Sequence, residues 1–424
     1  MAGLGYKDFT AGAVLTAAQV DGYLMEQAVM NFAGTAARGS ALASVQAAGM
    51  VAHVGGGTVQ VYNGSQWAQM YPVVGVANTN LLFNGAMQVA QRGTSTASIT
   101  TGGYYTADRW LTSIAALGTW TQSVENDAPT GSGLRKSLKI LCTTADAAPS
   151  ASDYVAISQS LEGQDVQRIC KGSSSAQQLT MSFWVKSNVT GTYIAELVDV
   201  DNSRRVSASY SVSASATWER KTITFPVDTT GVLDNDNDVS LQVYFWLAAG
   251  STFSGGSPLQ TTWGTATNTR ATGQTNLGAA TNNYWQVTGV QLEVGPVASS
   301  FEFKSYGQEL RECQRYYFRQ TPGSLSPYGS AQAISTTAAV GIIQLPVTMR
   351  VGPTSMDVTS TASDYRVYEN PSVNPGCSSV PTLNETQPDA VIITFTVASG
   401  LTLGRAEQLR ANSATSYIGL SSEL

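Results

Sequence analysis

The clearest strand pattern in the chain lies between two segments, Asn80-Leu81-Leu82-Phe83-Asn84-Gly85-Ala86-Met87-Gln88-Val89 and Tyr284-Trp285-Gln286-Val287-Thr288-Gly289-Val290-Gln291-Leu292-Glu293-Val294-Gly295. Between them, short runs of alternating apolar and polar residues are separated by clusters of Gly, Asn, Ser and Thr. This spacing is typical of an antiparallel sandwich or jelly roll. The sequence therefore predicts an all-β fold, with an arm before this stretch and a cap after it.

Composition limits the classes of function. The 424 residues exceed one hydrophobic core and predict two or three domains. Only 12% of residues are charged, so the surface suits packing into an assembly or contact with carbohydrate. The net charge of -6 and the lack of a basic run argue against nucleic acid as a partner. No apolar stretch approaches the roughly 20 residues of a membrane helix, and the first residues lack a signal-peptide core, so we expect synthesis in a cytoplasm.

Zinc-binding and redox motifs are absent from the sequence. The single His53 lies in a predicted strand beside Val51 and Val54, where we expect a structural role. The cysteines form no C-x-x-C pair and no His/Cys cluster for zinc. We expect free, buried thiols at Cys142, Cys170, Cys313 and Cys377.

The first 79 residues contain one helical and one strand pattern. Thr16-Ala17-Ala18-Gln19 has the form of a capping box, and apolar residues follow it at helical spacing, which predicts a helix from about Ala17 to Phe32. A short helix so far from a core should dock on a partner or on its own copies, or fold back onto the next domain. Residues Ala48 to Tyr71 predict a small β-meander with Trp67 as its main apolar anchor.

The central stretch resolves into strands with distinguishable faces. Leu179 and Phe183 share one face with the other apolar residues of their run, whereas Trp184 points the opposite way; Tyr244 and Trp246 likewise oppose the core face of theirs. The predicted strands are Ser137–Cys142, Tyr154–Gln159, Leu179–Lys186, Tyr193–Val198, Val206–Val212, Glu219–Val227, Val239–Leu247, Trp285–Val294 and Phe301–Lys304.

Trp184, Tyr244 and Trp246 are the candidate glycan contacts. They stand among Ser, Thr and Gln, and a sugar is bound by rings that stack on its C–H faces together with polar groups that hydrogen-bond its hydroxyls. The alternative is that a loop or a neighbouring protomer covers these rings and makes them part of a core.

Several motifs of the arm and of the central stretch carry a family resemblance. Through Gly5-Tyr6-Lys7-Asp8-Phe9 and Leu15-Thr16-Ala17-Ala18-Gln19-Val20, the arm resembles the amino-terminal attachment region of tail-fibre and minor structural proteins of tailed bacteriophages. The central domain resembles their jelly rolls, which are related to carbohydrate-binding modules, through Leu82-Phe83-Asn84-Gly85-Ala86-Met87, Gln91-Arg92-Gly93-Thr94, Tyr105-Thr106-Ala107-Asp108-Arg109-Trp110, Phe245-Trp246-Leu247-Ala248-Ala249-Gly250, Gln291-Leu292-Glu293-Val294-Gly295 and Glu312-Cys313-Gln314-Arg315-Tyr316-Tyr317.

This resemblance implies an architecture and a function. It implies a virion-attachment arm over 1–79, a jelly roll over 80–304, a helical connector over 305–319 and a β-sandwich head over 320–424 that is trimeric in similar fibres. The expected protein is a virion component and homotrimer whose arm binds phage tail or capsid proteins and whose outer parts bind a host surface glycan. The head's tip loops carry Tyr365 and Tyr368 as further contact candidates.

Two further hypotheses, a cation site and a hydrolase, depend on carboxylate side chains. Asp234, Asp236 and Asp238 alternate in one loop, as in calcium or magnesium sites, although the glycine and closing glutamate of an EF-hand are missing and a solvated turn is the alternative. Catalytic motifs are absent, so we expect no enzyme. The sequence leaves open a decoration protein without host contact, or a glycan depolymerase with a carboxylate pair drawn from Glu125, Asp127, Glu196, Asp199 and Asp201.

Overall fold

The structure is a computed structural model that describes residues 14, 16, 17, 30–43, 46–54, 58–70 and 80–424. The described residues divide into two compact units, one within Met1–Ala77 and one spanning Asn78–Leu424. Strands predominate in both units, so the predicted all-β class is confirmed. Among the described residues, no helix is long and apolar enough to cross a membrane.

The first unit is built on a four-stranded sheet. Its strands, in sheet order, are β1 (Met30–Phe32), β2 (Val51–Val54), β3 (Thr58–Tyr62) and β4 (Trp67–Met70). The last three pair antiparallel, so the predicted β-meander is confirmed. Trp67 lies 5.5 Å from the Tyr62 ring, and the Arg38 guanidinium lies over it at 4.6 Å.

The predicted arm helix is wrong at its end. Met30–Phe32 forms a strand parallel to Val51–Val54, and the helix of this region, α1, spans Thr35–Leu42. Phe32 fits the helical spacing of apolar residues, but the backbone hydrogen bonds of parallel pairing with β2 determine its conformation. Residues 18–29, the body of the predicted helix, lie outside the described residues.

The second unit begins with a sandwich of two six-stranded sheets. One sheet has the order β13-β12-β15-β10-β7-β6 and the other has the order β14-β11-β16-β9-β8-β5. The strands are β5 (Ser95–Ile99), β6 (Gly103–Tyr104), β7 (Leu111–Ala115), β8 (Thr119–Glu125), β9 (Ser137–Thr144), β10 (Tyr154–Glu162), β11 (Leu179–Ser187), β12 (Gly191–Asp199), β13 (Arg204–Val212), β14 (Glu219–Phe225), β15 (Val239–Ala249) and β16 (Tyr284–Val294), with helices α2 (Gly163–Val166) and α3 (Ser251–Ser254) and 3-10 turns Gln167–Ile169 and Leu277–Ala279.

Period-2 alternation builds the core of this sandwich. Phe183 of β11 meets Phe245 of β15 edge to face at 5.0 Å, and Phe245 lies 5.4 Å from Trp285 of β16. Each ring is 1% exposed or less, and burying a side chain of this size stabilises the fold by about 2 kcal/mol. The predicted core faces of β11 and β15 are therefore confirmed.

Strand prediction failed at both margins of the sandwich. Phe301–Lys304 is irregular rather than a strand. Strands β5 to β8 were not predicted, because these short runs are rich in Ser, Thr and Gly and their apolar residues alternate weakly.

A connector and a second sandwich complete the second unit. The connector helix α4 (Tyr306–Gln314) is capped by Ser305, whose hydroxyl accepts a hydrogen bond from the Gln308 backbone N–H at 3.3 Å. The second sandwich has a six-stranded sheet of order β21-β24-β18-β19-β23-β22 and a three-stranded sheet of order β17-β25-β20. Its elements are β17 (Tyr317–Gln320), β18 (Pro327–Ala333), β19 (Ala338–Gln344), β20 (Ser355–Val358), a 3-10 turn (Ala362–Asp364), β21 (Tyr365–Tyr368), β22 (Thr382–Thr386), β23 (Ala390–Thr396), β24 (Ala406–Ala411) and β25 (Ile418–Ser421).

Buried ion pairs join the two sandwiches. Arg109, fully buried in the first, forms an ion pair with Glu423 and lies 3.4 Å from the centre of the Tyr316 ring. Glu162, at the end of β10 and 0% exposed, accepts hydrogen bonds from Arg315 at 2.6 and 2.7 Å and from the Tyr316 hydroxyl. Motif residues on which the resemblance rested thus hold the second sandwich against the first.

All four cysteines are free. Cys142, Cys313 and Cys377 are buried, as predicted, whereas Cys170 is exposed because it follows a 3-10 turn in the left-handed conformation at the surface.

Candidate functional site

Trp184 lies in an open groove of about 380 Å³ on the outer face of the sheet that contains β11. The strand alternation that buries Phe183 and Val185 turns Trp184 outward, where its side chain is half-buried. The lining combines aromatic, hydroxyl and cationic groups: Ser132, Leu134, Ser182, Trp184, Arg220, Gly289, Ala298, Ser299, Ser300, Phe301 and Phe303.

A β-bulge makes room for the Trp184 ring. The pairing of β11 with β16 is irregular between Ser182 and Trp184, and Gly289 lies opposite this irregularity with a φ of 60°. A Cβ at Gly289 would lie 2.7 Å from the Leu134 side chain and 3.3 Å from the Trp184 ring. Only glycine fits this close approach without displacing its neighbours.

The far wall of the groove comes from the irregular segment after β16. Phe301 and Phe303 form an edge-to-face pair at 5.1 Å, and Phe303 is 53% exposed. This segment was predicted to be a strand, so its contribution of aromatic side chains to the groove was missed.

A second tryptophan on the same face was also missed. Trp218 donates a hydrogen bond from its indole Nε1 to Asp127 at 3.2 Å, and Lys186 lies 5.1 Å from its ring and ion-pairs with Asp127. Burial raises the pKa of Asp127, but the hydrogen bonds from Lys186 and Trp218 outweigh burial and hold the pKa below its usual value. Trp218 precedes β14 in a stretch without alternation, so its sequence carried no signal.

Trp246 requires a correction, because it lies on the opposite sheet and is only 1% exposed. Its indole Nε1 donates to Glu196 at 2.9 Å, and Glu196 also accepts two hydrogen bonds from Arg270 at 2.8 and 2.9 Å. The Arg270 guanidinium lies 5.0 Å from the centre of the Trp246 ring. The segment that follows β15 covers this ring, so Trp246 belongs to a core and not to an exposed binding face.

Tyr244 shares that covered environment. Its ring stacks on Trp246 at 6.1 Å and 24°, and Arg270 lies 5.6 Å from its centre. Tyr244 is half-buried, and burial raises its pKa to about 12. The three predicted ring contacts therefore do not form one site, since Trp184 lies on one sheet and Tyr244 and Trp246 lie on the other.

Tyr365 also requires a correction. It is 0% exposed, and its hydroxyl donates to the Tyr417 carbonyl at 2.7 Å and accepts from the Thr359 backbone N–H at 2.9 Å. Tyr365 belongs to the core of the second sandwich. Tyr368 is half-buried with Arg410 stacked 3.7 Å from its centre, and it stays a candidate contact.

The three loop aspartates form no cation cage. Asp234, Asp236 and Asp238 are exposed, the Asp236 carboxylate accepts from the Asp238 backbone N–H at 3.0 Å, and Asp238 ion-pairs with Arg350 at 3.1 Å. Among the described residues, no group of three acidic, histidine or cysteine side chains is arranged to hold a metal ion.

Three of the five carboxylates considered for a hydrolase form ion pairs, whereas Glu125 accepts a hydrogen bond from the Ser123 hydroxyl at 2.6 Å and Asp201 accepts one from the Asp234 backbone N–H at 2.9 Å. Glu196 and Asp199 both lie on β12; Glu196 pairs with Arg270, and Asp199 pairs with Lys171. Asp127 pairs with Lys186 of β11 in the other sheet. Each of these three carboxylates thus has a cationic partner.

Comparison with known proteins identifies structural likeness only. No protein-family model and no curated protein matches the sequence. The enzymatically active domain of tailspike protein 4 of bacteriophage CBA120 superposes with a TM-score of 0.27 at 12% identity, over 51% of this chain and 21% of that one. A family 11 carbohydrate-binding module of Clostridium thermocellum, in complex with a β-1,3-1,4-mixed-linked tetrasaccharide, gives 0.25 at 11% identity, over 49% and 98% of the two chains. A xylan-binding family 22 module of Paenibacillus barcinonensis gives 0.25 at 11%, over 53% and 100%.

Proposed function

We propose that this chain is a non-enzymatic bacteriophage tail-fibre protein that binds a host surface glycan in the groove beside Trp184. The single observation that supports this function is the composition of the groove. A half-buried indole stands there among serine hydroxyls, with two phenylalanine rings on the far wall. A pyranose stacks its C–H face on such a ring while its hydroxyls bind the surrounding polar groups.

The virion part of the proposal rests on the resemblance of the arm and motifs to phage fibres. In this proposal, the first unit binds phage tail or capsid proteins, and three copies assemble through the arm and the sparsely charged surfaces. Weak single-site binding then gains strength because several grooves act from one particle.

The experiment compares Trp184→Ala with the full unaltered chain in binding to susceptible host cells and to a printed glycan array. Tyr368→Ala tests the candidate contact of the second sandwich, where it also removes a half-buried aromatic ring. We expect Trp184→Ala to lose binding and Tyr368→Ala to keep it. Loss with Tyr368→Ala alone would transfer recognition to the head, and full binding by Trp184→Ala would reject the groove as the glycan site.

One observation favours a second candidate function, that of a decoration protein. The outer face of the larger head sheet has an apolar groove of about 510 Å³, in which Ile334 and Ile342 are 55% and 54% exposed. Exposed apolar grooves of this kind mark protein contacts. If this face, and not Trp184, carries the function, the purified unaltered chain should bind neither glycans nor host cells. Ile342→Asp should then prevent incorporation of the chain into virions.

A further inference from the structure

The groove beside Trp184 is cationic, although the whole chain carries a net charge of -6. Arg220 of β14 is the one charged residue that lines it. Arg220 is exposed, and its Nη2 donates to the Ser299 carbonyl at 3.1 Å. In the described part of the chain no carboxylate forms an ion pair with Arg220, so its remaining donors are available to a ligand.

A second groove continues the same surface. It has a volume of about 350 Å³ and shares Leu134 with the first groove. Its lining consists of residues 126, 128–131 and 133–135. Its one charged lining residue is Arg135, which is exposed. Within the described residues Arg135 makes no ion pair either.

The acidic groups nearby do not neutralise these arginines. Asp127 is paired with Lys186. Glu293 is 6% exposed, and its Oε1 accepts hydrogen bonds from the Ser299 backbone N–H at 2.8 Å and from Gln291 at 3.0 Å, so it lies behind the groove wall. Two adjoining grooves thus present an aromatic ring and two guanidinium groups, and neither lining contains a carboxylate.

We propose that the ligand of this surface is an acidic glycan that carries carboxylates or sulfate esters. One of its sugar rings stacks on Trp184, and the negatively charged substituent beside that ring is bound by Arg220. The next negatively charged substituent along the glycan is bound by Arg135. This inference rests on the proposed function, because it specifies the ligand of the same groove. A guanidinium presents a planar fork of donors that matches the oxygens of such a group, and charge-assisted hydrogen bonds of this kind are stronger than those to a neutral hydroxyl.

The test uses the purified full chain on a glycan array that carries matched pairs. Each carboxylated glycan is printed beside its carboxyl-reduced counterpart, and each sulfated glycan beside its desulfated one. The variants are Trp184→Ala, Arg220→Gln and Arg135→Gln, with Arg405→Gln as the control, since Arg405 is a 68% exposed cation in the second sandwich. We expect preference for the charged member of a pair, and a loss of about tenfold in affinity for it with Arg220→Gln, the value of one charge-assisted hydrogen bond.

The outcomes separate this inference from the function on which it rests. Arg220→Gln should leave the weak binding of the neutral member unchanged, Arg405→Gln should change neither, and added salt should reduce only binding of the charged member. The pair type that responds identifies carboxylate or sulfate. Equal binding of both members, lost with Trp184→Ala but unaffected by either arginine variant, would overturn the acidic ligand and keep glycan binding. Binding that Trp184→Ala leaves intact would overturn both.

Discussion

Arg109 and Glu423 form a buried ion pair across 314 positions of sequence. It joins the first sandwich to the residues that follow β25, the last strand of the second sandwich. The Arg109 side chain is 0% exposed and that of Glu423 is 5% exposed. Arg109 also donates to the Ser160 carbonyl at 2.7 Å, and Arg92 shares Glu423 at 3.3 Å. The two sandwiches are therefore joined by a desolvated electrostatic contact and not by the chain alone.

Removing one partner of this pair should be costly. We expect Glu423→Ala to lower the free energy of unfolding by about 3–5 kcal/mol, because it leaves the Arg109 charge buried without its counter-ion. Urea denaturation of the full chain measures the change. Glu312→Ala is the control, since its ion pair with Lys304 is partly exposed and should be worth less than about 1 kcal/mol. A loss no larger than that of the control would show that other contacts hold the sandwiches together.

The two tryptophans predicted as glycan contacts should contribute unequally to the stability of the fold. Trp246→Ala should destabilise the fold by about 3–5 kcal/mol, because it empties a core position and removes both the hydrogen bond to Glu196 and the ring beneath Arg270. Trp184→Ala should cost about 1 kcal/mol, typical of a substitution outside the core. Thermal unfolding followed by calorimetry distinguishes them, and equal losses would contradict the burial difference described above.

Gly289→Ala should disturb the groove through its backbone. Alanine is strained at a φ of 60°, and its Cβ would press on Leu134 and Trp184. We expect a loss of about 1–2 kcal/mol in stability together with a change in Trp184 fluorescence. Gly273→Ala, also at positive φ but with open space around it, is the matched control for backbone strain alone. If both variants give the same spectrum, the contact with Trp184 has no influence on the ring.

Glu407 should make the stability of the second sandwich depend on pH. Burial, and next the charge of Glu369, raise the pKa of Glu407 to about 7, and its two oxygens have no donor among the described residues. The unfolded chain has a pKa of about 4.3 at this position. The stability contribution is therefore complete below about pH 4 and is lost as the pH rises through about 7.

The measurement is the melting temperature of Glu407→Gln minus that of the unaltered chain, as a function of pH. Because glutamine stays neutral, this difference should rise between about pH 4 and about pH 7. Glu385→Gln, at an exposed position, controls for the loss of one charge. A flat difference would mean that Glu407 ionises as readily in the folded protein as in the unfolded chain.

Alternation identified which residues point away from the core, but not what covers them. Trp184 and Trp246 satisfy the same period-2 rule and both turn outward from the shared core. What separates them is the segment after β15, whose Arg270 reaches Glu196 over 74 positions of sequence. No local pattern predicts that such an irregular segment folds back onto one sheet while the other sheet stays open.

The sequence did not predict the physical role of the motif residues. Asn84 donates from its side-chain amide to the Val89 and Asp108 carbonyls at 2.8 and 3.0 Å, and Arg109 pairs with Glu423. The contacts from Asn84 to Asp108 and from Arg109 to Glu423 span 24 and 314 positions of sequence, so no local pattern predicts them. The fold class and the β-meander, in contrast, depend on local alternation and turn residues, so both could be predicted.

The ion pairs at Arg109 and Glu162 should also determine how the second unit responds to mechanical load. A tension applied to the second sandwich passes through Arg315, Tyr316 and Glu423 into β10 and its neighbours, in parallel with the covalent connector. Several noncovalent contacts must then break together before the connector can extend.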